Sequence, residues 1–503
     1  MVLAELQQLA TAIITSYRGR GEYLNKNVET LVEMAAQSGE EAALAGSVVF
    51  NSLVEPMADS FEPWGVSLYN RVFSQMIQLC RPVHPDLDRE LKHFGLSTEA
   101  DLLARVERLR PGVSQTTQQN SSRPLIRTAS GVTNRASNPG SGVKRAIVLS
   151  RVTLGADVAV TSVLIERLKQ ALPAAEIVLV GGHKTRELFG GDPRLSFHVV
   201  EYGRRVLLAD RLSSWVELAD AVRSLTEGLQ VDQYLVVDPD SRLTQLGLLP
   251  VCHPESYLFF PSREFHSESN ASIATLASQW SSDELGGGPL SPAINLARPD
   301  IEAGRNLAGR LRSTSGRRIV CLNFGVGGNQ AKRVGLEFEQ ALIKFLAGLD
   351  RSALPVSAGP AIILDRGTGD GENELVDAII AEMVQSDGLT VLEAWQDDLP
   401  NVLASDLSAV DLLVWRGRIG LLAALVGTSD LYIGYDSMGQ HVAAALGVPC
   451  VDVAAGYPSQ KFLERWKPTG LGPVSVVPVT AGSAWGETLN EVAHSARMLL
   501  GPR

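Results

Sequence analysis

The sequence predicts an α/β protein: two facing, Rossmann-like doubly wound sheets preceded by an α-helical N-terminal domain. Three observations predict it. The chain has 503 residues, enough for roughly three domains at ~150 residues each. Residues 1–110 carry helical periodicity and few strand signals. From Lys144 onward short apolar runs alternate with helical stretches, the pattern of parallel sheets covered on both faces.

The helical region comes first. Its opening, MVLAELQQLATAIITSYRGRG, has no basic start and carries Glu5, Gln7 and Gln8 within its apolar stretch, so it reads as an amphipathic helix rather than a signal peptide. Val28, Leu31, Val32 and Ala35 fall at i, i+3, i+4 and i+7 and make one helical stripe. Ser97 or Thr98 offers a hydroxyl cap to a last helix running to about Arg108. Residues 111–143 lack any Asp or Glu and are dense in Ser, Thr, Asn, Gln, Gly and Pro, which predicts a linker.

The first sheet is expected within 144–312, with strands at Ala146–Leu149, Ile177–Val180, Tyr234–Val237 and Tyr257–Phe260. Helices are expected at Val158–Leu172 and Trp215–Leu229. The pattern restarts in 313–503, with strands at Ile319–Leu322, Ala361–Leu364, Thr390–Leu392, Leu431–Ile433 and Cys450–Val453. Helices Glu337–Leu349, Glu374–Val384, Arg418–Val426 and Gly439–Leu446 separate them. In such sheets ligands sit beyond the carboxyl ends of the strands, so the following turns are where chemistry is sought.

Four turns hold candidate residues. The first strand leads to Leu154-Gly155-Ala156-Asp157, where Asp157 is either a helix-start carboxylate favoured by the helix dipole or a general base facing a cleft. Asn323 opens a loop with Gly325, Gly327 and Gly328, followed by Lys332 and Arg333, a backbone that phosphate can approach beside positive charge. It lacks the GK[ST] ending of a Walker A loop and the GxGxxG spacing of a dinucleotide-binding turn. The third turn, Asp365 to Glu374, is acidic, and it is either a helix-start cluster or a source of a carboxylate, Glu374 the candidate, that accepts from ribose hydroxyls. The fourth, Asp436-Ser437-Met438-Gly439-Gln440-His441, offers a carboxylate, a hydroxyl and helix-start amides suited to a sugar diphosphate. Asp238-Pro239-Asp240 has the DxD spelling of a cation site, but no further acidic or His ligand lies nearby in sequence, and no metal site is expected.

These turns together resemble the bacterial heptosyltransferase family, glycosyltransferase family 9, over roughly Lys144 to Pro468. Leu154-Gly155-Ala156-Asp157 is similar to its Leu-Gly-Asp opening with one extra residue, and Gly325–Lys332 to its Gly-rich phosphate loop ending in Lys. Asp436-Ser437 with His441 through Pro449 resembles its Asp-[Ser/Thr]-Gly-x-x-His helix start, and Arg465-Trp466-Lys467-Pro468 its short Trp-x-Pro segment. The departures are Ala156, Val334-Gly335 in place of Trp-Pro, and Met438 in place of Gly.

The resemblance implies a GT-B fold and an inverting, metal-independent glycosyltransferase needing no cofactor. Asp157 would be the base. Gly325, Gly327, Gly328, Lys332, Glu374, Asp436, Ser437, Met438, Gly439 and His441 would hold a nucleotide-sugar, with ADP-heptose the family's donor. The acceptor would be a glycan, a lipopolysaccharide-core-like molecule or a protein. Residues 1–110, outside the family pattern, would recognise the acceptor or drive assembly. Two alternatives stay open: a GT-B enzyme using a UDP- or GDP-sugar, and a non-catalytic protein that binds a sugar nucleotide or a partner.

Composition bounds the rest. The chain carries 45 basic against 56 acidic residues, a net charge of −11, which argues against a general binder of nucleic acid. No apolar run approaches the ~18 residues of a membrane span. The four cysteines are widely spaced, which suits buried thiols in a reducing compartment. The expected location is the cytoplasm, or its membrane face.

Overall fold

The computed structural model describes residues 3–37, 39–110, 142–202, 208–312, 316–327, 329–349, 359–367, 369–480 and 482–501. The expected linker lies almost wholly outside the described residues, as does Gly328.

Two all-parallel sheets form the frame. The first comprises β1 (Arg145–Leu149), β2 (Glu176–Gly181), β3 (Leu195–Val199), β4 (Tyr234–Asp238) and β5 (Tyr257–Phe259), in the order β3-β2-β1-β4-β5. The second comprises β6 (Ile319–Asn323), β7 (Ala361–Asp365), β8 (Val391–Trp395), β9 (Leu412–Arg416), β10 (Leu431–Tyr435), β11 (Cys450–Ala455) and β12 (Val474–Val479). Its order is β12-β11-β10-β6-β7-β9-β8. Two Rossmann-like units preceded by helices are thus the observed fold class. Strand order reverses between β1 and β4 in the first sheet and between β6 and β10 in the second. Those two switch points are where doubly wound sheets open a crevice.

Side-chain alternation explains why the strands read as unbroken apolar runs. Ala146 and Val148 of β1 face one core, while Ile147 and Leu149 face another. β2 divides the same way, Ile177 and Leu179 against Val178 and Val180. With period-2 geometry, a strand buried on both faces must be apolar at every position. The core holding Ala146 and Val148 continues into the second sheet through Cys321 and Ile363, so the two sheets share it.

The other face of the first sheet is covered by residues 1–110. Leu31, Val49, Phe73 and Ile77 of the helices lie in one core with Ile147, Leu149, Val178 and Val180 of the strands. Polar ties join the same surfaces: Tyr69 Oη donates to Gln245 Oε1 at 3.2 Å, and Arg105 Nε donates to the Gly247 carbonyl at 3.0 Å. The helical region is therefore the missing layer of the first sheet. Its local reading holds as well. Val28, Leu31, Val32 and Ala35 are the buried face of the Asn25–Ala35 helix. Thr98 caps Glu99–Leu109 in a reciprocal box with Asp101.

Three strands went unanticipated: β3, β9 and β12. β3 and β12 lie at sheet edges, where half-buried positions break up the apolar run. β9 is apolar and buried, but its Leu412–Trp415 run is too short to separate from a helix by pattern alone. Helix Arg298–Arg312, assigned by sequence to the first sheet's unit, packs against helix Ile419–Gly427 of the second. Gly304 sits against Ala424, and Arg418 donates to Asp300 at 2.9 Å. No described helix is long and apolar enough to cross a membrane.

Candidate functional site

The two switch points meet. A Cβ added at Gly155, in the turn after β1, would come within 2.9 Å of the Ser437 carbonyl and 3.1 Å of His441 Cδ2, in the turn after β10. Only a residue without a side chain permits that approach. The turns after β1 and β10 therefore touch, and those after β4 and β6 reach the same junction through Arg151 with the Pro239 carbonyl and Lys332 with Asp436; this junction is the candidate crevice.

On the second-sheet side, Lys332 Nζ donates to Asp436 Oδ2 at 2.5 Å and reaches the Asp436 carbonyl at 3.3 Å. Gln440 orients the same carboxylate, its amide donating to Asp436 Oδ1 at 3.0 Å, while Gln440 Oε1 accepts from the Ser437 amide at 3.0 Å. Asp436, Ser437 and Met438 are half-buried. Gly439 is held against Tyr432, whose hydroxyl would lie 1.9 Å from any Cβ there. The Gly325 amide donates to Asn323 Oδ1 at 2.8 Å, and Gly327 adopts φ 60°, a left-handed conformation suited to glycine. The structure thus brings Lys332 together with Asp436, Ser437 and Met438 at the adjacent ends of β6 and β10.

Several expectations need correction. Arg333 does not join Lys332: it turns to buried Glu339, which also accepts from Tyr435 Oη at 2.9 Å. Glu374 is exposed on its helix. The carboxylate beside the glycine loop is Glu372, 3.1 Å from where a Gly325 Cβ would stand. It also accepts from the Gly369 amide at 3.2 Å. The two glutamates are two residues apart, and helix phase selects the first. His441 is 3% exposed, with its ring edge-on to Trp466 at 6.1 Å. Burial pulls its pKa down to about 4, with Lys332 adding to the effect and Asp436 opposing it.

Asp157 departs furthest from expectation. It is fully buried and does not project into the crevice. Its Oδ1 accepts from the Arg151 amide at 2.7 Å and Thr161 Oγ1 at 2.8 Å. Its Oδ2 accepts from Ser150 Oγ at 2.7 Å and Thr185 Oγ1 at 3.0 Å. Burial raises its pKa while these four donors oppose the rise. The physical reason is local. Residues Asp157–Thr161 form a π-helical turn, the conformation that takes up one extra residue in a helix. Asp157 opens that turn, and its carboxylate is held by donors from the end of β1, the turn itself and Thr185.

Asp238 and Asp240 are likewise engaged by their own surroundings. Asp238 accepts from the Ser241 amide at 2.7 Å and Thr244 Oγ1 at 2.6 Å. Asp240 accepts from Ser262 Oγ and Arg263 Nη1, both at 2.7 Å.

Sequence reasoning missed other groups that border the crevice. Arg151 donates from Nη1 to the Pro239 carbonyl at 2.7 Å and Ser262 Oγ at 2.8 Å, and it lies 5.8 Å over the Trp466 ring. Its neighbour Val152 has φ 79°, a rare conformation for a β-branched residue. Arg263 Nε donates to the Ala58 carbonyl at 2.8 Å, so a turn of the helical region reaches the same place. There Phe61 packs on Phe462 and Trp466 at 6.4 and 6.3 Å between ring centroids. Arg151 stands two residues past the end of β1, a position the strand-end rule could have flagged. Nothing local marks Phe61.

No family model and no curated protein matches the chain. Among solved structures it is similar to a family 9 glycosyl transferase from Veillonella parvula, at 17% identity and TM-score 0.49, over 71% of this chain and 97% of that one. It is also similar to E. coli ADP-heptose lps heptosyltransferase II, at 17% identity and TM-score 0.44, over 71% and 98%. The E. coli heptosyltransferase WaaC with ADP follows at 13% identity and TM-score 0.42, over 70% and 99%.

Proposed function

We propose that this protein binds a nucleotide-sugar at the carboxyl ends of β6 and β10 and transfers the sugar to an acceptor hydroxyl presented by the first sheet. The observation that supports this is the apposition of two switch points across one crevice, with Lys332 and the Asp436–Gly439 turn on one wall. Lys332 and helix-start amides would stabilise charge developing on the leaving diphosphate. The acceptor oxygen would attack the anomeric carbon from the opposite face, giving inversion. Both oxygens of Asp238 and Oδ2 of Asp240 accept from protein donors, while Asp240 Oδ1 is buried without a partner; the Arg263 guanidinium on Asp240 favours a mechanism without a cation at that pair. The donor is a heptose-like sugar on ADP in this reading, and a UDP- or GDP-sugar is the variant of it. The acceptor class is a glycan, a lipopolysaccharide-core-like molecule or a protein, met in the cytoplasm or at its membrane face.

A binding-only role is the second reading, favoured by the burial of Asp157. Calorimetric titration with ADP, UDP and GDP tests what the two share. One diphosphate should bind, and Lys332→Ala should weaken it by about 10–100-fold, the loss of one charge-assisted contact. If none of the three binds even at millimolar concentration and low salt, both readings fall. Release of diphosphate from the matching sugar nucleotide then separates an enzyme from a binding protein.

A further inference from the structure

With Asp157 buried, the crevice still contains a carboxylate suited to proton removal, and it comes from the helical region. Asp59 lies in the turn between helices Glu55–Ala58 and Pro63–Cys80. Three features hold that turn in the crevice. The Ala58 carbonyl accepts from buried Arg263, which is itself paired with Asp240. Phe61, 1% exposed, is wedged against Phe462 and Trp466 of the second sheet's unit. Gly65 makes room, since a Cβ there would stand 2.0 Å from Ser60 Oγ and 2.6 Å from the Met57 carbonyl. Phe61 takes φ 52° to complete the bend, a strained conformation of the kind that clusters at functional sites.

Asp59 itself is half-buried, and among the described residues its carboxylate has no hydrogen-bond or ion-pair partner. The charged groups that act on it are Arg242, Arg263 and Lys332, and across the crevice Asp436. Arg242 acts on it most strongly, and its turn reaches Lys332 through Phe61, which packs on Phe462, the ring under Lys332 Nζ at 5.6 Å; its acceptor atoms are unspent. Asp157 has the opposite arrangement.

We propose that Asp59, contributed by the helical region, is the general base of the transfer reaction. The inference rests on the reading of the crevice as a sugar-transfer site. In the step, the Asp59 carboxylate takes the proton of the acceptor hydroxyl as its oxygen bonds to the anomeric carbon. The bond from that carbon to the diphosphate oxygen breaks, and its electron pair leaves with the diphosphate beside Lys332. Burial raises the Asp59 pKa against the opposing cations, a shift toward the range where a carboxylate accepts a proton near neutral pH.

The test uses the full chain with ADP-heptose, UDP-glucose and GDP-mannose, following release of nucleoside diphosphate with water as acceptor, alongside calorimetric binding of ADP, UDP and GDP. Wild type should bind one diphosphate and release it from the matching donor. Asp59→Asn should keep its melting temperature and diphosphate affinity while release falls at least about 100-fold. The rise of rate with pH expected of wild type should disappear with it. Release by Asp59→Asn at the wild-type rate would overturn the base while leaving the transfer site standing. Binding by wild type without release from any donor would also overturn the base, in favour of a binding protein. Failure of wild type to bind any diphosphate would remove the site and the inference together.

Discussion

At the scale of single residues, burial decides what each candidate can do. His441 shows this, because its position on an Ala-rich helix is compatible with either a ligand contact or a core role. The structure puts it in the core with a pKa of about 4, below the unfolded value near 6.5. The sign follows from linkage. A depressed pKa means that the folded state resists protonation, so this contribution is present above pH 6.5 and is lost as pH falls toward 4. His441→Gln should flatten that loss, which could reach about 3 kcal/mol for a shift of this size. Chemical denaturation at several pH values between 7 and 4 would measure it. Parallel wild-type and mutant curves across that window would refute the assignment. Arg333 teaches the same lesson: adjacent to Lys332 in sequence, it belongs to a buried ion pair with Glu339.

At the scale of elements, Asp157 acts as a clasp. Its four donors come from the end of β1, from the π turn and, through Thr185, from helix His183–Phe189. Asp157→Ala removes the shared acceptor and leaves those buried donors unpaired, at a cost of about 2–4 kcal/mol. The expected readout is a clear fall in melting temperature. A melting temperature within a degree of wild type would mean that the donors find other partners. Ala156 was visible in the sequence as a departure from the family's Leu-Gly-Asp pattern, but the inward position of Asp157 was not. What the spacing could not say is how a helix takes up one added residue.

At the scale of the whole molecule, residues 1–110 are part of the architecture rather than an appendage. They cover one face of the first sheet and send the Asp59–Phe61 turn to the junction of both units. A chain cut at a protease site engineered into 111–141 should therefore remain one particle, its two pieces co-eluting in size exclusion. Separation of the pieces would contradict the shared core. Production of residues 144–503 alone should yield little soluble protein, because Ile147, Leu149, Val178 and Val180 would lose their cover. Joint burial of this kind also limits how far the net charge of −11 can be read as a property of any one surface.

The sequence by itself determined the alternation of strands and helices, the two successive sheets, and the strand-end turns that contain Lys332 and Asp436. Those signals are local: periodicity, turn residues and the length of an apolar run depend on neighbours within a few positions. The tertiary structure alone decided that Asp157 faces inward, that Glu372 rather than Glu374 approaches the glycine loop, and that a turn of the helical region enters the crevice. The first two depend on helix phase, where a small change in register redirects a side chain. The third depends on contacts such as Arg263 with Ala58, 205 residues apart. No pattern within a short window encodes a pairing at that separation.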